Sequence, residues 1–195
     1  MRDTVVVFAR APLLGTVKRR LARDIGDRAA LRFYGATLAT TLRMLARDRR
    51  FRTVVAVTPD GSDGAWTRGL PTIPQGRGDL GVRMQRVFDR HRRGRVAIVG
   101  SDIPDLRAHD VARAFRLLGG AQVCFGPARD GGYWLVAAGP RRPATPFARV
   151  RWSSETALAD TLRNFRGHKI ATLRMLRDVD TVADLAAETE LTARR

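Results

Sequence analysis

Short runs of β-branched and other apolar residues alternate with longer amphipathic segments along most of the chain. This alternation is typical of strand–helix–strand units, in which the strands pair into a mostly parallel sheet covered by helices. The pattern therefore predicts an α/β fold. The 195 residues contain no internal repeat and no linker-like stretch, so we expect a single domain over residues 1–195.

Periodicity also predicts the individual elements. Strands are expected at residues 4–8, 53–58, 95–100, 122–126, 133–138 and 169–173, with a short strand near 72–73. Helices are expected after Gly15 up to about residue 49 with a break near Gly26, and at residues 80–92, 109–118 and 154–164, with a short helix opening near Thr181. Within the 80–92 helix the apolar face consists of Leu80, Met84, Val87 and Phe88.

The chain is strongly basic, with a formal net charge of +17. The basic residues are spread along the whole chain, and all except Lys18 and Lys169 are arginines, a bias that GC-rich codons produce without any selection for a partner. Aromatic residues make up only 7% of the chain, so base-stacking surfaces would be sparse. These features argue against nucleic-acid binding as the main function, but an attraction for small anions remains.

Cysteine content and hydropathy indicate the compartment. The single cysteine, Cys124, lies in an apolar run and is expected to be a buried core residue in a reducing environment. The apolar run at residues 5–9 is too short for a signal sequence, and no run approaches the roughly 20 residues of a membrane helix. We therefore expect a cytoplasmic protein without a membrane span.

Ligands of open α/β sheets bind beyond the carboxyl ends of the strands, so the loops that follow strands matter most. The first strand runs into a loop with Pro12 and Gly15, and the next helix is expected to open with Lys18, Arg19 and Arg20. Basic residues oppose the helix dipole at that end, and bound phosphates would explain them. The alternative is a solvated basic helix start, since the loop matches neither a Walker loop nor G-x-G-x-x-G.

A second loop follows the apolar strand at residues 95–100. Pro104 disfavours helix at Ile103, which would keep Asp102 at the strand tip facing the crevice. A carboxylate there suits Mg²⁺, which takes one or two carboxylates together with water and substrate phosphates. An Asx-turn or a helix cap is the alternative for Asp102. For Asp105 and Asp110, which are close to the next helix start, capping is the preferred interpretation.

Other acidic residues follow later strands. Asp130 begins a glycine-containing segment that reads as an ordinary hairpin turn. Thr181 and Asp184 form a plausible helix-capping pair, which leaves Asp180 as a second metal ligand. Three scattered histidines and one cysteine do not suit a zinc site, and no G-x-S-x-G elbow is present.

Five ordered motifs resemble the nucleotide-diphospho-sugar transferase superfamily. They are FARAPLLGTVKRRL at 8–21, PQGRGDLGVRM at 74–84, GSDIPDL at 100–106, GPARDGGYWL at 126–135 and LRDVDTVADL at 176–185. The closer resemblance is to a small bacterial branch known as radical-SAM/selenodomain-associated transferases, which is similar to the molybdenum-cofactor and 2-phospholactate guanylyltransferases. The resemblance implies the glycosyltransferase-A-type fold, a Rossmann-like three-layer α/β/α sandwich in one domain.

The resemblance also implies roles for particular residues. Nucleotide phosphates would be bound by Arg10, Gly15, Lys18 and Arg20, and the base and ribose would lie along Gln75, Gly76, Gly78 and Gly81. Asp102 would be the main carboxylate for Mg²⁺ or Mn²⁺ and Asp180 the second, while Asp130 would face the acceptor or the metal. Lys18, Asp102 and Asp130 are thus the expected catalytic residues.

Two reaction classes are compatible with these residues. The first is nucleotidyl transfer from a nucleoside triphosphate to a small phosphorylated or acidic acceptor, which Lys18 favours because a leaving pyrophosphate needs a cation. The second is glycosyl transfer from a nucleotide sugar, and its sign would be a pocket near Tyr133, Trp134 or Trp152. A non-catalytic nucleotide-binding module is a third alternative. The acceptor, the preferred base and the oligomeric state stay open.

Overall fold

The computed structural model describes residues 2–179, 181–182 and 184–185. Its strands are β1 (Thr4–Arg10), β2 (Arg52–Thr58), β3 (Thr72–Pro74), β4 (Val96–Gly100), β5 (Val123–Pro127), β6 (Tyr133–Ala138) and β7 (Ile170–Thr172). They form one sheet in the order β3-β2-β1-β4-β6-β5-β7. Only β6 runs antiparallel to its neighbours, β4 and β5, and the other pairs are parallel. The expected α/β class with a mostly parallel sheet is confirmed.

Local sequence signals set where the helices begin and end. The helices are α1 (Arg19–Ile25), α2 (Asp27–Arg47), α3 (Leu80–Arg90), α4 (Ala108–Leu117) and α5 (Ala157–Asn164), with a 3₁₀ helix at Ala65–Thr67. Gly26 separates α1 from α2 with a φ of 82°, as predicted, because a residue with a Cβ rarely adopts that conformation. Asp79 caps α3 by accepting a hydrogen bond from the Val82 amide at 2.8 Å.

Alternate residues of the central strand β1 bury against opposite layers of helices. Val5 and Val7 pack with side chains of α2 and α4 in one core cluster, whereas Val6 packs with side chains of α3 in the other. This alternation produces the three-layer sandwich. Each fully buried apolar side chain contributes about 1.5–3 kcal/mol relative to exposure. Burial on both faces of the sheet therefore stabilises the packing of helices on each side.

Strand order creates the crevice in which the candidate site lies. From β1 the chain crosses through α1 and α2 to β2 on one side, whereas from β4 it crosses through α4 toward β5 on the other side. Because β1 and β4 are adjacent and parallel, their carboxyl ends lie together where the connections diverge. Loops that leave such a switch point open a cleft between them.

The exposure of one residue in α3 differs from expectation. Leu80 was expected on the buried face of α3, but it is 44% exposed because it is the first residue of the helix, beyond the edge of the core. The proline- and arginine-rich segment 140–148 is a loop that is anchored by Phe147, whose ring lies 5.0 Å from that of Phe88. None of the helices described is both long and apolar enough to cross a bilayer.

Candidate functional site

An ion pair joins the loops that follow β1 and β4. Nζ of Lys18 lies 2.6 Å from Oδ2 of Asp102. The Lys18 side chain is only 5% exposed, whereas that of Asp102 is 33% exposed at the crevice. Lys18 adopts a left-handed backbone conformation (φ 46°) and directly precedes α1, which begins one residue later than expected. Two of the three residues predicted to be catalytic are therefore in contact.

The hydroxyl of Tyr34, in α2, contacts both the end of β1 and the loop that follows β4. It donates to the Arg10 carbonyl at 2.8 Å, accepts from the Arg10 amide at 3.0 Å and lies 3.3 Å from Oγ of Ser101. Burial is the main cause that raises the pKa of Tyr34, so the phenol remains a protonated donor. Sequence reasoning missed Tyr34, although it lies on the buried face of α2 together with Leu38.

Beside this ion pair lies a basic cleft of about 420 Å³, a volume within the range of small-molecule sites. Its charged lining comprises five cations, Arg10, Lys18, Arg19, Arg20 and Arg83, and one carboxylate, Asp102. Arg83 was not predicted as a site residue, although it belongs to the motif at 74–84. The lining gives this cleft a strongly positive potential, which attracts anions.

On the other side of Asp102 lies a second cavity, of about 230 Å³, which we call the aromatic pocket. Its apolar wall includes Leu80, Tyr133, Trp134 and Trp152, and its acidic groups are Asp102, Asp130 and Asp178. The two cavities adjoin each other, because they share three lining residues. These residues are Leu80, Gly100 and Asp102. Asp178 was missed because the sequence favours Asp180, two residues later.

Asp130 lies in the turn between β5 and β6, as its sequence predicts, and this hairpin is tightly constrained. Oδ1 of Asp130 accepts a hydrogen bond from the Gly132 amide at 2.9 Å. Gly131 has a φ of 82°, and a Cβ added there would lie 2.0 Å from the carbonyl oxygen of Glu155. Only glycine fits this close approach, which ties the hairpin to the segment before α5.

The glycine-rich motif at 74–84 has clear local roles. The buried side-chain amide of Gln75 donates to the carbonyls of Ala9 (3.3 Å) and Ala56 (2.8 Å), which clamps β1 to β2. A Cβ on Gly81 would lie 2.8 Å from the Trp152 ring, so this glycine lets the indole pack on α3.

The remaining glycines that were predicted as site residues have backbone conformations that favour glycine. Gly15, Gly76 and Gly78 have φ values of 72°, 76° and 106°. The Gly76 amide donates to Asp60 at 2.9 Å, and the Gly78 carbonyl accepts from Arg83 at 2.9 Å. Of the four residues expected along the base and ribose, only Gln75 lines the basic cleft, and nucleotide contact by the four stays a prediction.

Two acidic residues expected to cap helices do so. Asp110 is buried and accepts from the Arg107 amide at 3.0 Å, and it also binds Arg174. Oδ2 of Asp184 accepts from the Thr181 amide at 2.9 Å. Asp180 lies outside the described residues, so its role as a metal ligand stays a prediction.

The donor set at Asp102 suits a cation shared with phosphates. Among the residues that the structure describes, no three His, Cys, Asp or Glu side chains are grouped so that they could hold a metal ion. Mg²⁺ in phosphate-binding sites usually takes only one or two carboxylates and completes its shell with water and phosphate oxygens. A partly exposed carboxylate beside a cationic cleft fits that mode of binding.

The structure resembles several solved transferases. It superimposes on a protein from Desulfovibrio desulfuricans G20 assigned as a nucleotide-diphospho-sugar transferase, with a TM-score of 0.90 and 28% identity over 96% of this chain and 87% of that chain. The TM-score is 0.64 against a CMP:2-keto-3-deoxy-manno-octonic acid synthetase in complex with CTP, at 13% identity over 100% and 99% of the two chains.

A third resemblance is to glucosyl-3-phosphoglycerate synthase from Mycobacterium tuberculosis, in complex with Mn²⁺, UDP and glucosyl-3-phosphoglycerate. Its TM-score is 0.58, with 13% identity over 97% of this chain and 76% of that chain. The two more distant likenesses, below 25% identity, show the fold alone, whereas the likeness to the Desulfovibrio protein supports the expected superfamily.

Sequence comparison gives the family. No curated protein sequence matches this chain. Residues 41–154, more than half of the chain, match the model of a bacterial family that is described as "Uncharacterized protein conserved in bacteria (DUF2064)". The matched segment includes β4 with the Asp102 loop and the β5–β6 hairpin, so it carries most of the residues that line the aromatic pocket, although Ala157 and Asp178 lie outside it. The protein therefore belongs to the DUF2064 family.

Proposed function

We propose that this protein is a metal-dependent nucleotidyltransferase. A nucleoside triphosphate would place its phosphates in the basic cleft and transfer its nucleoside monophosphate to a small acceptor in the aromatic pocket. The observation that carries the proposal is the placement of five cations around a cleft that meets a second cavity at Asp102. The CTP complex of the distant synthetase shows that a protein of this fold can hold a nucleoside triphosphate.

The charge of the basic cleft suits a triphosphate. A leaving pyrophosphate carries about three to four negative charges near neutral pH and gains most from cations fixed at the place where that charge develops. Lys18 is held almost completely out of water, and an ammonium in such a place interacts more strongly with a phosphate than a solvated one does. Arg10, Arg20 and Arg83 would supply further neutralisation from the cleft wall.

The transfer itself is a substitution at phosphorus. The acceptor's nucleophilic atom forms a bond to the α-phosphorus, the bond from that phosphorus to the bridging oxygen breaks, and pyrophosphate leaves with the bonding electron pair. A proton lost by the nucleophile would pass to Asp130 or to water. Asp102, with Asp180, would hold Mg²⁺ or Mn²⁺, which supplies charge neutralisation to the phosphates. Gly15 would shape the phosphate loop, while Gln75, Gly76, Gly78 and Gly81 would lie along the base and ribose.

Glycosyl transfer is the second candidate, and the aromatic pocket favours it. A cavity is present at Tyr133, Trp134 and Trp152, where a nucleotide-sugar donor would need one. The relative from Desulfovibrio desulfuricans is assigned to the nucleotide-diphospho-sugar transferases. In this reaction the basic cleft would hold only a diphosphate. Its five cations would then face less negative charge than in nucleotidyl transfer.

The products distinguish these candidates. The protein is incubated with Mg²⁺ or Mn²⁺ and a pool of cell metabolites, with each nucleoside triphosphate in one series and each common nucleotide sugar in another. Pyrophosphate formed from a triphosphate, and lost in Lys18→Ala, supports nucleotidyl transfer. Nucleoside diphosphate formed from a nucleotide sugar without pyrophosphate identifies a glycosyltransferase. Nucleotide binding without either product indicates a non-catalytic module.

A further inference from the structure

We propose that Tyr34 is a positioning residue of the site. Its hydroxyl ends the pairing of β1 with β4 and thereby frees the Asp102 loop from the sheet, so that Asp102 meets Lys18 beside the basic cleft. Tyr34 would act through the loops that carry these two residues rather than by touching the reacting atoms. The consequence for nucleotide binding rests on the proposed function, whereas the consequence for the ion pair does not.

The pairing of β1 with β4 stops before β1 itself ends. Its register ends at Phe8 opposite Gly100, whereas β1 continues to Arg10 beside β2. Successive residues of a parallel strand direct their amide and carbonyl toward opposite neighbours. The Thr4 amide donates to the carbonyl of Arg95, on the β4 side, and Arg10 faces the same side because it lies at an even separation along the strand. Arg10 is therefore the residue of β1 that would continue the ladder with β4.

The Tyr34 hydroxyl takes the place of that continuation. One further step of the register would place Arg10 opposite Asp102. The Arg10 amide would then bond to the Ser101 carbonyl, and the Arg10 carbonyl to the Ile103 amide. Instead the hydroxyl donates to the Arg10 carbonyl at 2.8 Å and accepts from the Arg10 amide at 3.0 Å. Both backbone groups are thus satisfied without β4, and Asp102 lies in the loop instead of the ladder.

The protons of this network have one consistent arrangement. The Tyr34 hydroxyl has a single proton, which goes to the Arg10 carbonyl because a carbonyl can only accept. The contact of 3.3 Å with Oγ of Ser101 is then a donation from the serine to the phenol. The hydroxyl of Tyr34, a residue that is only 4% exposed, thus bonds both to the last residue of β1 and to the first residue after β4.

The ring and the hydroxyl of Tyr34 have separable roles. The ring belongs to the same core cluster as Leu38, and a phenylalanine ring would fill the same space. The three hydrogen bonds depend on the hydroxyl alone. Tyr34 lines the basic cleft together with Ser101, Asp102 and Lys18. Removal of the hydroxyl therefore tests the positioning role without opening a large cavity in the core.

The test uses Tyr34→Phe, with Thr53→Val as the matched control. Oγ1 of the buried Thr53 donates to the Leu45 carbonyl at 3.0 Å, so the control also removes a buried hydroxyl that bonds across the contact between α2 and the sheet. Thr53 lies near the start of β2, outside both cavities. Both variants are expected to melt at a lower temperature than wild type. Ser101→Ala is a second variant, which removes only the contact of the phenol with the loop after β4.

The first measurement is the ammonium signal of Lys18 by NMR of isotope-labelled protein, without any nucleotide. The chain has only two lysines, and Lys18→Ala assigns the signal. We expect the signal in wild type, because the ammonium is ion-paired and almost completely shielded from solvent. In Tyr34→Phe its proton exchange is expected to be about tenfold faster or the signal lost, whereas Thr53→Val keeps it. An unchanged signal in a folded Tyr34→Phe would overturn the inference. If Tyr34→Phe does not fold, Ser101→Ala decides in the same way.

The second measurement is the affinity for a nucleoside triphosphate with Mg²⁺. We expect Tyr34→Phe to weaken it about tenfold in the wild-type background and much less in a Lys18→Ala background, because the hydroxyl acts through that lysine. Thr53→Val, which loses stability alone, should bind like wild type. Equal weakening by Tyr34→Phe in both backgrounds contradicts the positioning role. A Lys18 signal that changes while triphosphate affinity stays the same, or is absent throughout, supports the positioning role and counts against the proposed function.

Discussion

The ammonium nitrogen of Lys18 lies 2.6 Å from Oδ2 of Asp102, although the two residues are 84 positions apart in the sequence. The contact ties together the loops that leave β1 and β4, at the switch point of the sheet. Each group neutralises the other, so a phosphate that binds Lys18 or a cation that binds Asp102 replaces one ionic partner by another. The ion pair of Lys18 and Asp102 thus lies between the basic cleft and the aromatic pocket.

The first prediction concerns Lys18→Ala. The affinity for a nucleoside triphosphate with Mg²⁺ is expected to fall about 10–100-fold, since a charge-assisted hydrogen bond contributes about 1.5–3 kcal/mol. The affinity for nucleotide sugars is expected to fall less, because their diphosphate carries less charge near the lysine. Isothermal titration calorimetry measures both.

Lys169→Ala is the matched control for Lys18→Ala. Lys169 is the only other lysine and lies exposed immediately before β7, outside the basic cleft. Its alanine variant is expected to bind like the wild type. Equal losses at the two lysines would mean that binding reflects only the general field of a protein with a charge of +17.

A second prediction concerns the hairpin at the aromatic pocket. Gly131→Ala places a Cβ 2.0 Å from the Glu155 carbonyl at a φ of 82°. The expected loss of unfolding free energy is about 3 kcal/mol or more, because a backbone clash adds to the cost of the left-handed conformation. Urea denaturation provides the measurement.

Gly61→Ala separates these two contributions. Gly61 also has a positive φ, 75°, but a Cβ there would meet nothing within 4 Å. Its alanine variant is expected to lose only the conformational cost, about 1–2 kcal/mol. A Gly131→Ala variant no less stable than Gly61→Ala would show that the hairpin is not constrained by Glu155.

A third prediction concerns stability in acid. The hydrogen bonds from Arg151 hold the pKa of Asp160 well below its ordinary value. A carboxyl whose pKa is lower in the folded state stabilises the fold above its unfolded-state pKa of about 3.9, and loses this contribution as the pH falls below that value. Asp160→Asn is therefore expected to be less stable than wild type at neutral pH, and the difference should shrink as the pH falls from about 5 to 2. A difference that stays constant in urea denaturation across this range contradicts the assignment.

Much of the fold is predictable because its signals are local. The break between α1 and α2 follows from Gly26, and the strand β6 follows from the apolar run that begins at Tyr133. The caps at Asp110 and Asp184 also depend on residues only three positions away. Where a side chain contacts a residue only three or four positions away, the spacing in the sequence is enough to predict the contact.

The site is less predictable because it depends on strand order. Periodicity does not reveal that β1 and β4 are neighbours, so the contact between Lys18 and Asp102 follows only from the folded sheet. The same limit explains why Asp178 was missed, because its place in the aromatic pocket depends on the path of the chain after β7. Gly81 is a different case. It belongs to a motif that was expected to contact nucleotide, and the structure also gives it a packing role, because a Cβ at this position would come too close to the Trp152 ring.

The proposal as a whole depends on Asp102. A nucleoside triphosphate at 100 times its dissociation constant stabilises the protein by about 2.7 kcal/mol, which raises the melting temperature by about 5–10 °C in a chain of this size. Asp63→Ala, at an exposed carboxylate outside both cavities, provides the control variant.

The most direct measurement is the melting temperature of wild type, Asp102→Ala and Asp63→Ala with a nucleoside triphosphate, with and without Mg²⁺ or Mn²⁺. We expect wild type and Asp63→Ala to show the full shift and its dependence on the cation. Asp102→Ala should fold and melt normally alone but lose most of the cation-dependent part of the shift. An Asp102→Ala variant that keeps the full cation-dependent shift would contradict the placement of the phosphates and the metal at this site.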